Sequence, residues 1–221
     1  MSHPPAFGGR FGGLQWIQAK VVLVVGWQLF CRPQDFSELD LCDVVVDADG
    51  MTITIRYAKN DTKGLTRSPR IARAGGRFRP VELWERYVKA LGLVKHAACD
   101  KVLGEPTRCS FCGPAFPAVW KLQGVKQTRM PAQQASKRIK QLFAGLASAG
   151  LMTEETATSF SGKSCRCGGV SAAAGEAVRG GVLQGHGGWL ARESLRHYDL
   201  MRDVEKSHVS LALSSAVTRL E

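Results

Sequence analysis

The apolar residues of this chain fall into short runs whose period changes along the sequence, and each period limits what the run can form. Residues 15–30 are strongly apolar around Val21-Val22-Leu23-Val24-Val25. The run is longer than an ordinary strand and is interrupted by Gln15, Gln18, Lys20 and Gln28, so it predicts a partly exposed helix. Pro33 supplies a ready first helical position, because its missing N–H leaves nothing unsatisfied there. Phe36 and Leu39, three apart, give this short second helix (residues 33–41) one buried face. The period then drops to two. Residues 44–46 and 51–57 flank Asp47-Ala48-Asp49-Gly50, a β-rich pair around a turn sequence. Ile53 and Ile55 alternate with Thr52, Thr54 and Arg56, which turns one face toward a core. A polar turn at 59–64 and a third strand near 70–72 complete a small sheet within residues 44–74.

Helical spacing returns at residues 80–91, where Val81, Trp84, Val88 and Leu91 form a stripe, with Pro80 at the start and Gly92 just past the end. Residues 96–134 carry prolines at 106, 114, 117 and 131 and read as a long connection holding one or two short elements. A helix over 135–149 buries Ile139, Leu142, Phe143 and Leu146 and stops at Gly150. Further helices are expected at 171–177, 191–198 and 204–217. Neither an internal repeat nor a domain linker is visible. The pattern predicts one α+β domain over 1–221, mainly helical, with a small antiparallel β-sheet.

Composition narrows the partners. The 221 residues are 44% hydrophobic and 22% charged, ordinary values for a folded domain. Thirty Lys and Arg against nineteen Asp and Glu leave a formal charge of +11, with a pI near 9.6. Such an excess favours a polyanion, because each neutralised phosphate releases counterions. The start of the chain lacks the apolar run of a secretory signal. The most apolar stretch, residues 21–26, is far too short to span a bilayer, so no membrane partner is expected.

The odd count of seven cysteines fits a reduced, intracellular chain. Cys109-Ser110-Phe111-Cys112 has the spacing of half a zinc site. The second close pair, Cys165 and Cys167, has the wrong separation and brackets Arg166. Cys99 and His96 could complete a site with Cys109 and Cys112, but in an unusual order. The sequence reading is therefore free, partly buried thiols and no metal. No glycine-rich segment matches a nucleotide-binding loop.

Four blocks, in order, carry a resemblance to a known family. They are Arg32-Pro33-Gln34-Asp35-Phe36 with Leu39 and Asp43; Lys59-Asn60-Asp61 with Gly64; Gly162-Lys163-Ser164-Cys165-Arg166-Cys167-Gly168-Gly169; and Gly188-Trp189 through Tyr198. In these the chain resembles the catalytic domain of the tyrosine recombinases, the phage-integrase family, and most nearly the eukaryotic, transposon-derived branch. The resemblance covers about residues 25–202 and implies the family's DNA breaking-rejoining catalytic-core fold. It makes Arg32 and Arg166 the catalytic arginines, Lys59 the catalytic lysine with Lys63 as its fallback, and Tyr198 the nucleophile. Trp189 stands nine residues before Tyr198, where the family has histidine or tryptophan. Asp35 could brace Arg32 or its neighbourhood, and His186 is a possible auxiliary donor. The chain departs from the commoner pattern twice: Lys163 stands where many members have histidine, and Cys167 where many eukaryotic members have a further arginine.

The chemistry gives each residue type a reason. Two arginines can hold the non-bridging oxygens of a phosphodiester as negative charge gathers there. Tyrosine, with a free pKa near 10, is made nucleophilic by nearby positive charge and forms a covalent phosphotyrosine. Lys59 would protonate the leaving 5′-oxygen, and Trp189 would fix geometry. The link stores the bond energy, so the resemblance implies no cofactor. It also implies double-stranded DNA as partner, bound through Arg32, Lys59, Lys163 and Arg166, and a homo-tetramer on paired sites that exchanges a C-terminal segment. The N-terminal helical domain usual in relatives is not recognisable, so the expectation is a catalytic domain alone, a fragment of a larger gene product or a decayed transposon remnant, nuclear if its source is eukaryotic. Three alternatives remain open: a catalytically inactive DNA-binding remnant of a mobile-element recombinase, a type IB topoisomerase-like enzyme, and a basic interaction protein unrelated to DNA.

Overall fold

The computed structural model describes residues 12–56, 66–73, 78–99, 109, 111–120, 124–175 and 178–189. Lys59, Lys63, Tyr198 and the helices expected at 191–198 and 204–217 lie outside them. The fold is α+β and mainly helical. Its elements are α1 (Gly12–Gln28), α2 (Pro33–Glu38), a 3₁₀ turn (Leu41–Asp43), β1 (Val44–Val46), β2 (Gly50–Ile53), β3 (Arg70–Ala72) and α3 (Pro80–Leu91), followed by β4 (Pro117–Trp120), β5 (Gly124–Arg129), α4 (Ala132–Ser148), α5 (Glu154–Ser159), α6 (Ser164–Gly175) and α7 (Gly180–Gly187). Among the described residues no helix is long and apolar enough to cross a membrane.

Helix α1 is the centre of the molecule, with α3, α4, α6 and β4 packed against it. The expected helix forms but is more buried than expected, with Lys20 and Gln28 at intermediate exposure. Val21, Val22 and Val25 have no exposed surface, and each such side chain contributes about 1.5–3 kcal/mol by leaving water. Gln15 and Gln18 are buried as well, and both have work inside. Gln15 Nε2 donates to the Val119 carbonyl at 3.1 Å, and Gln18 Nε2 to the Pro117 carbonyl at 2.8 Å. Two glutamines three apart on a helix face thus satisfy alternate carbonyls along β4, which buried backbone acceptors require. Arg138 of α4 adds a bond to the Val119 carbonyl at 2.7 Å.

The expected hairpin forms with β1 and β2 antiparallel in the register Val44↔Ile53 and Val46↔Met51, and β3 joins β2 through Met51↔Ile71. Met51, Ile53 and Ile55 face the core. Thr54 and Arg56, expected on the opposite face, are buried too. Arg56 Nη2 donates to the Glu38 carbonyl at 3.0 Å and to Asp40 Oδ2 at 2.8 Å, and it pairs with Asp43. Arg129 closes on the other oxygen of Asp40. These ions tie α2, the sheet and β5 together, and the two arginines hold the Asp40 carboxyl below its usual range against the opposing effect of burial.

α5 and α7 were not expected, and β4, β5 and α6 were expected only in part. β4 and β5 form a second antiparallel pair inside the proline-bearing connection. α5 is capped by Thr153, whose Oγ1 accepts from the Thr156 N–H at 3.2 Å. α6 begins at Ser164, well before the expected 171, so Arg166 and Gly169 share one helix. α7 is built from Gly180-Gly-Val-Leu-Gln-Gly-His-Gly187, a composition that opposes helix. Tertiary packing of Leu183 against Phe30, Val170 and Trp189 holds it.

Helices α1 and α6 approach closely because Gly169 has no side chain. A Cβ there would meet the Trp27 carbonyl oxygen at 2.1 Å and the Phe30 ring at 2.7 Å. Gly169→Ala is therefore expected to destabilise the fold by about 1–3 kcal/mol in urea unfolding. Gly175→Ala, where nothing lies within 4 Å, is expected to be neutral or to stabilise by about 0.4–1 kcal/mol. Equal effects at the two positions would contradict the close crossing.

Candidate functional site

The site grows from the way α1 ends. A helix leaves its last carbonyls without intrahelical partners, and here the chain reverses through Phe30 at φ 53. The Cys31 N–H reaches back to the Gly26 carbonyl at 2.8 Å, the reach that closes a left-handed helix cap. Glycine usually takes that position; an aromatic residue there carries strain of about 1–3 kcal/mol. The turn fans out three carbonyls, and each finds a different donor. His186 Nε2 donates to Gln28 at 2.9 Å, Arg67 Nη1 to Leu29 at 3.0 Å and Arg166 Nη1 to Phe30 at 3.1 Å.

The same two arginines cap a second helix. Arg67 donates to the His186 carbonyl and Arg166 Nη2 to the Gly187 carbonyl, the latter at 3.2 Å. The negative ends of α1 and α7 therefore converge on two guanidinium groups, the pairing that helix dipoles favour. Trp189 completes the wall, with its ring 4.1 Å from the Arg166 guanidinium carbon. The preceding glycines make room for it: a Cβ on Gly187 would fall inside the Trp189 ring, and Gly188, at φ +66, lies against the Arg67 side chain. Phe30 fills the remaining space, 4.9 Å from the His186 ring and 6.1 Å from the Trp189 ring.

Asp35 is the counter-charge. Its Oδ2 accepts from the Arg32 N–H at 2.7 Å and lies 3.9 Å from Arg67 Nη2. Burial pushes its carboxyl up, against the Arg32 N–H and the charges of Arg67, Arg166 and Arg32. Cys31 sits fully buried beneath the cluster, and burial reinforced by Asp35 pushes its thiol up. It is a neutral filler at neutral pH and no nucleophile.

Of the residues expected from the sequence, Asp35, Arg166, His186 and Trp189 thus come together, and Arg32 adjoins them through its backbone N–H. Lys163 is exposed in the turn before α6. It stands beside the start of α2, because a Cβ on neighbouring Gly162 would meet Pro33 at 2.4 Å. Cys167, also on α6, is half-buried with its thiol pushed up by burial. Asp43, the second acid of the first block, faces away from this cluster toward Arg56. Arg67 is the residue that sequence reasoning missed. Its place follows from pairing: Ile55 N–H to the Arg67 carbonyl at 2.8 Å and Arg67 N–H to the Ile55 carbonyl at 3.1 Å. Only the register of that pair carries it back to the site.

The fold is a mainly helical α+β architecture in which two arginines stand at the meeting of two helix ends. No family model matches the sequence, and no curated protein matches it. Solved structures do. The chain is similar to XerH site-specific recombinase in its post-cleavage complex with a palindromic difH substrate, with TM-score 0.55 and 11% identity over 96% of this chain and 53% of that one. It is similar also to the pre-cleavage complex of XerH with difH, with TM-score 0.53 and 12% identity over 96% of this chain and 55% of that one. At such identities the likeness is one of fold. The chain spans about half the length of the recombinases it matches.

The cluster carries a pH signature. Burial holds the His186 pKa below 6.5, and the Arg67 charge adds to this, while the bond to Gln28 opposes both. As pH falls the unfolded chain takes up this proton first. The stabilisation is full above about pH 6.5 and declines below it. Between about pH 8 and about pH 5, thermal unfolding should show a larger loss for the parent chain than for His186→Gln, which keeps a donor for Gln28 without titrating. Parallel losses would remove His186 as the cause.

Proposed function

We propose that this chain cleaves and rejoins DNA strands by a tyrosine-recombinase mechanism. The observation that carries the reading is the meeting of Arg67, Arg166, His186 and Trp189 where α1 ends, beside Asp35 and the backbone N–H of Arg32, in a fold similar to that of a site-specific recombinase. Arginine side chains gathered at one point are a stabiliser for phosphate oxygens, since their charge is permanent and their donors are fixed in direction. Asp35 is a positioning residue: through the Arg32 N–H it fixes the first turn of α2, and its charge partners Arg67.

In the reaction proposed, the Tyr198 phenolate oxygen, its proton released to solvent, attacks the backbone phosphorus. The bond to the 5′-oxygen breaks, and that oxygen leaves with a proton supplied by Lys59. A 3′-phosphotyrosine remains, and attack by a 5′-hydroxyl reverses the step, so the bond energy is conserved without a nucleotide cofactor. Arg32 and Arg166 bind the non-bridging oxygens, which gain charge in the transition state. Arg67 and Trp189 hold Arg166 and the α7 end in place. Lys163, exposed beside the start of α2, contributes charge to the bound backbone. Double-stranded DNA is the proposed substrate, and the net charge of +11 supports it. Action as a homo-tetramer on paired sites, and descent from the transposon-derived branch, rest on the motif resemblance alone.

A second reading has its own observation. Arg166 is only 6% exposed, and its guanidinium serves the Phe30 and Gly187 carbonyls while lying on Trp189. An arginine so placed also suits a structural cap in a DNA-binding remnant that no longer cuts.

Covalent trapping on nicked suicide duplexes of varied sequence separates the two. A denaturant-resistant adduct is expected for the parent chain and none for Tyr198→Phe. Arg166→Lys, which keeps the charge but loses the fork, should slow adduct formation roughly 10²–10³-fold. A gel shift by both proteins with no adduct from either would select the remnant. In either case four phosphate contacts, by Arg32, Lys59, Lys163 and Arg166, predict a slope of about −3 to −4 for log affinity against log salt. A flat response would remove DNA as the partner.

A further inference from the structure

On the far side of the Asp40 ion cluster, four thiols that the recombination chemistry does not use meet at one point. Cys42 comes from the 3₁₀ turn before β1, Cys99 from the segment after α3, and Cys109 and Cys112 from a Cys-x-x-Cys turn ahead of β4. Their sulfur atoms all lie within 4.8 Å of one another. Cys99 and Cys109 are 3.5 Å apart. All four are free thiols, and Cys42 and Cys112 are buried. Sulfurs held tetrahedrally at about 2.3 Å from a zinc ion stand roughly 3.8 Å apart, within the span seen here. Two disulfides would demand another arrangement, with S–S contacts of about 2.05 Å.

The surroundings suit a thiolate set. The Cys112 N–H donates to Cys109 Sγ at 3.3 Å, an outer-shell bond that orients a sulfur ligand and stabilises its charge. The Cys109 N–H is itself anchored on Asp40 Oδ2 at 3.0 Å, and Leu41 N–H on the Gly113 carbonyl at 2.9 Å. His96, the other ligand the sequence suggested, lies outside the group: its Nδ1 accepts from the Ala98 N–H, and its ring stacks on exposed Phe111.

We infer that Cys42, Cys99, Cys109 and Cys112 form a closed, four-thiolate site for a structural zinc ion. Soft thiolates in a tetrahedral set select zinc among the common divalent ions, and four protein ligands leave no open position for chemistry. The ion cross-links the 3₁₀ turn, the end of the α3 segment and the Cys-x-x-Cys turn. It therefore fixes the connection to β4 against the same Asp40 that binds Arg56 and Arg129. Metal binding releases the thiol protons and stabilises the fold that presents the ligands. This site is independent of whether the chain cleaves DNA.

The test is metal content of the full chain purified under reducing conditions without added metal. Elemental analysis should find about one zinc per chain. Cys42→Ser and Cys112→Ser should lose most of it, and Cys167→Ser, outside the cluster, should retain it. Replacement by cobalt in the parent chain gives a reading that needs no variant: intense visible absorption of a tetrahedral thiolate complex, bleached by excess zinc. Reduced, folded protein that takes up neither metal would overturn the site. So would zinc content unchanged by Cys42→Ser, or a Cys99–Cys109 disulfide as the stable form of the purified chain.

Discussion

The C-terminal turn of α1 is the constraint on which the site depends. Three consecutive carbonyls at Gln28, Leu29 and Phe30 must be satisfied where the helix stops, and Phe30 adopts a left-handed backbone to aim them outward. Unpaired, each buried carbonyl would cost about 1–3 kcal/mol. The donors that answer them come from β3's approach, from α6 and from α7, so segments far apart in sequence are fixed to one point. A site built on helix ends holds its shape better than one on a free loop, because each donor is positioned by an element with its own core contacts.

That arrangement joins stability to chemistry. Arg67 and Arg166 are drawn in by two negative helix ends, and Asp35 and the Trp189 ring add further partners. A phosphate arriving beside them would meet charge already gathered and oriented. The cost is that the same arginines hold the fold, so their removal disturbs structure and any catalysis together. Asp35 shows the balance well. It is buried, its neutral form favoured by burial, yet it is ringed by three arginines and an N–H that favour its charge.

Away from the site, Asp40 is a second node. It accepts from Arg56 and Arg129 and from the Cys109 N–H, so the sheet, β5 and the cysteine turn share one carboxylate. The first node serves the end of α1, and the second binds the long connection before β4 to the body. Between them lies α2, which Arg32 precedes as its N-terminal cap and whose last residue offers its carbonyl to Arg56. The placement of Arg32 thus depends on both.

What the sequence determined by itself was whatever depends on near neighbours. The hairpin, α3 ending at Gly92, and the inward face of α4 follow from periods and caps that a few residues contain. The ordered blocks around Arg32, Arg166 and Trp189 were legible as a family resemblance, and the fold of the chain agrees with it. Tertiary structure decided the rest, for a physical reason in each case. Gln15 and Gln18 looked solvent-facing because a buried amide requires a partner more than 90 residues away, which no local pattern discloses. α7 forms against its glycine content because Leu183 and Trp189 pack on Phe30. Arg67 enters the site only through its pairing with Ile55, and Cys42 reaches three distant thiols only once the 3₁₀ turn and the β4 connection lie side by side. Spacing reveals what one element presents; which elements share a point is settled by the packing that buries them.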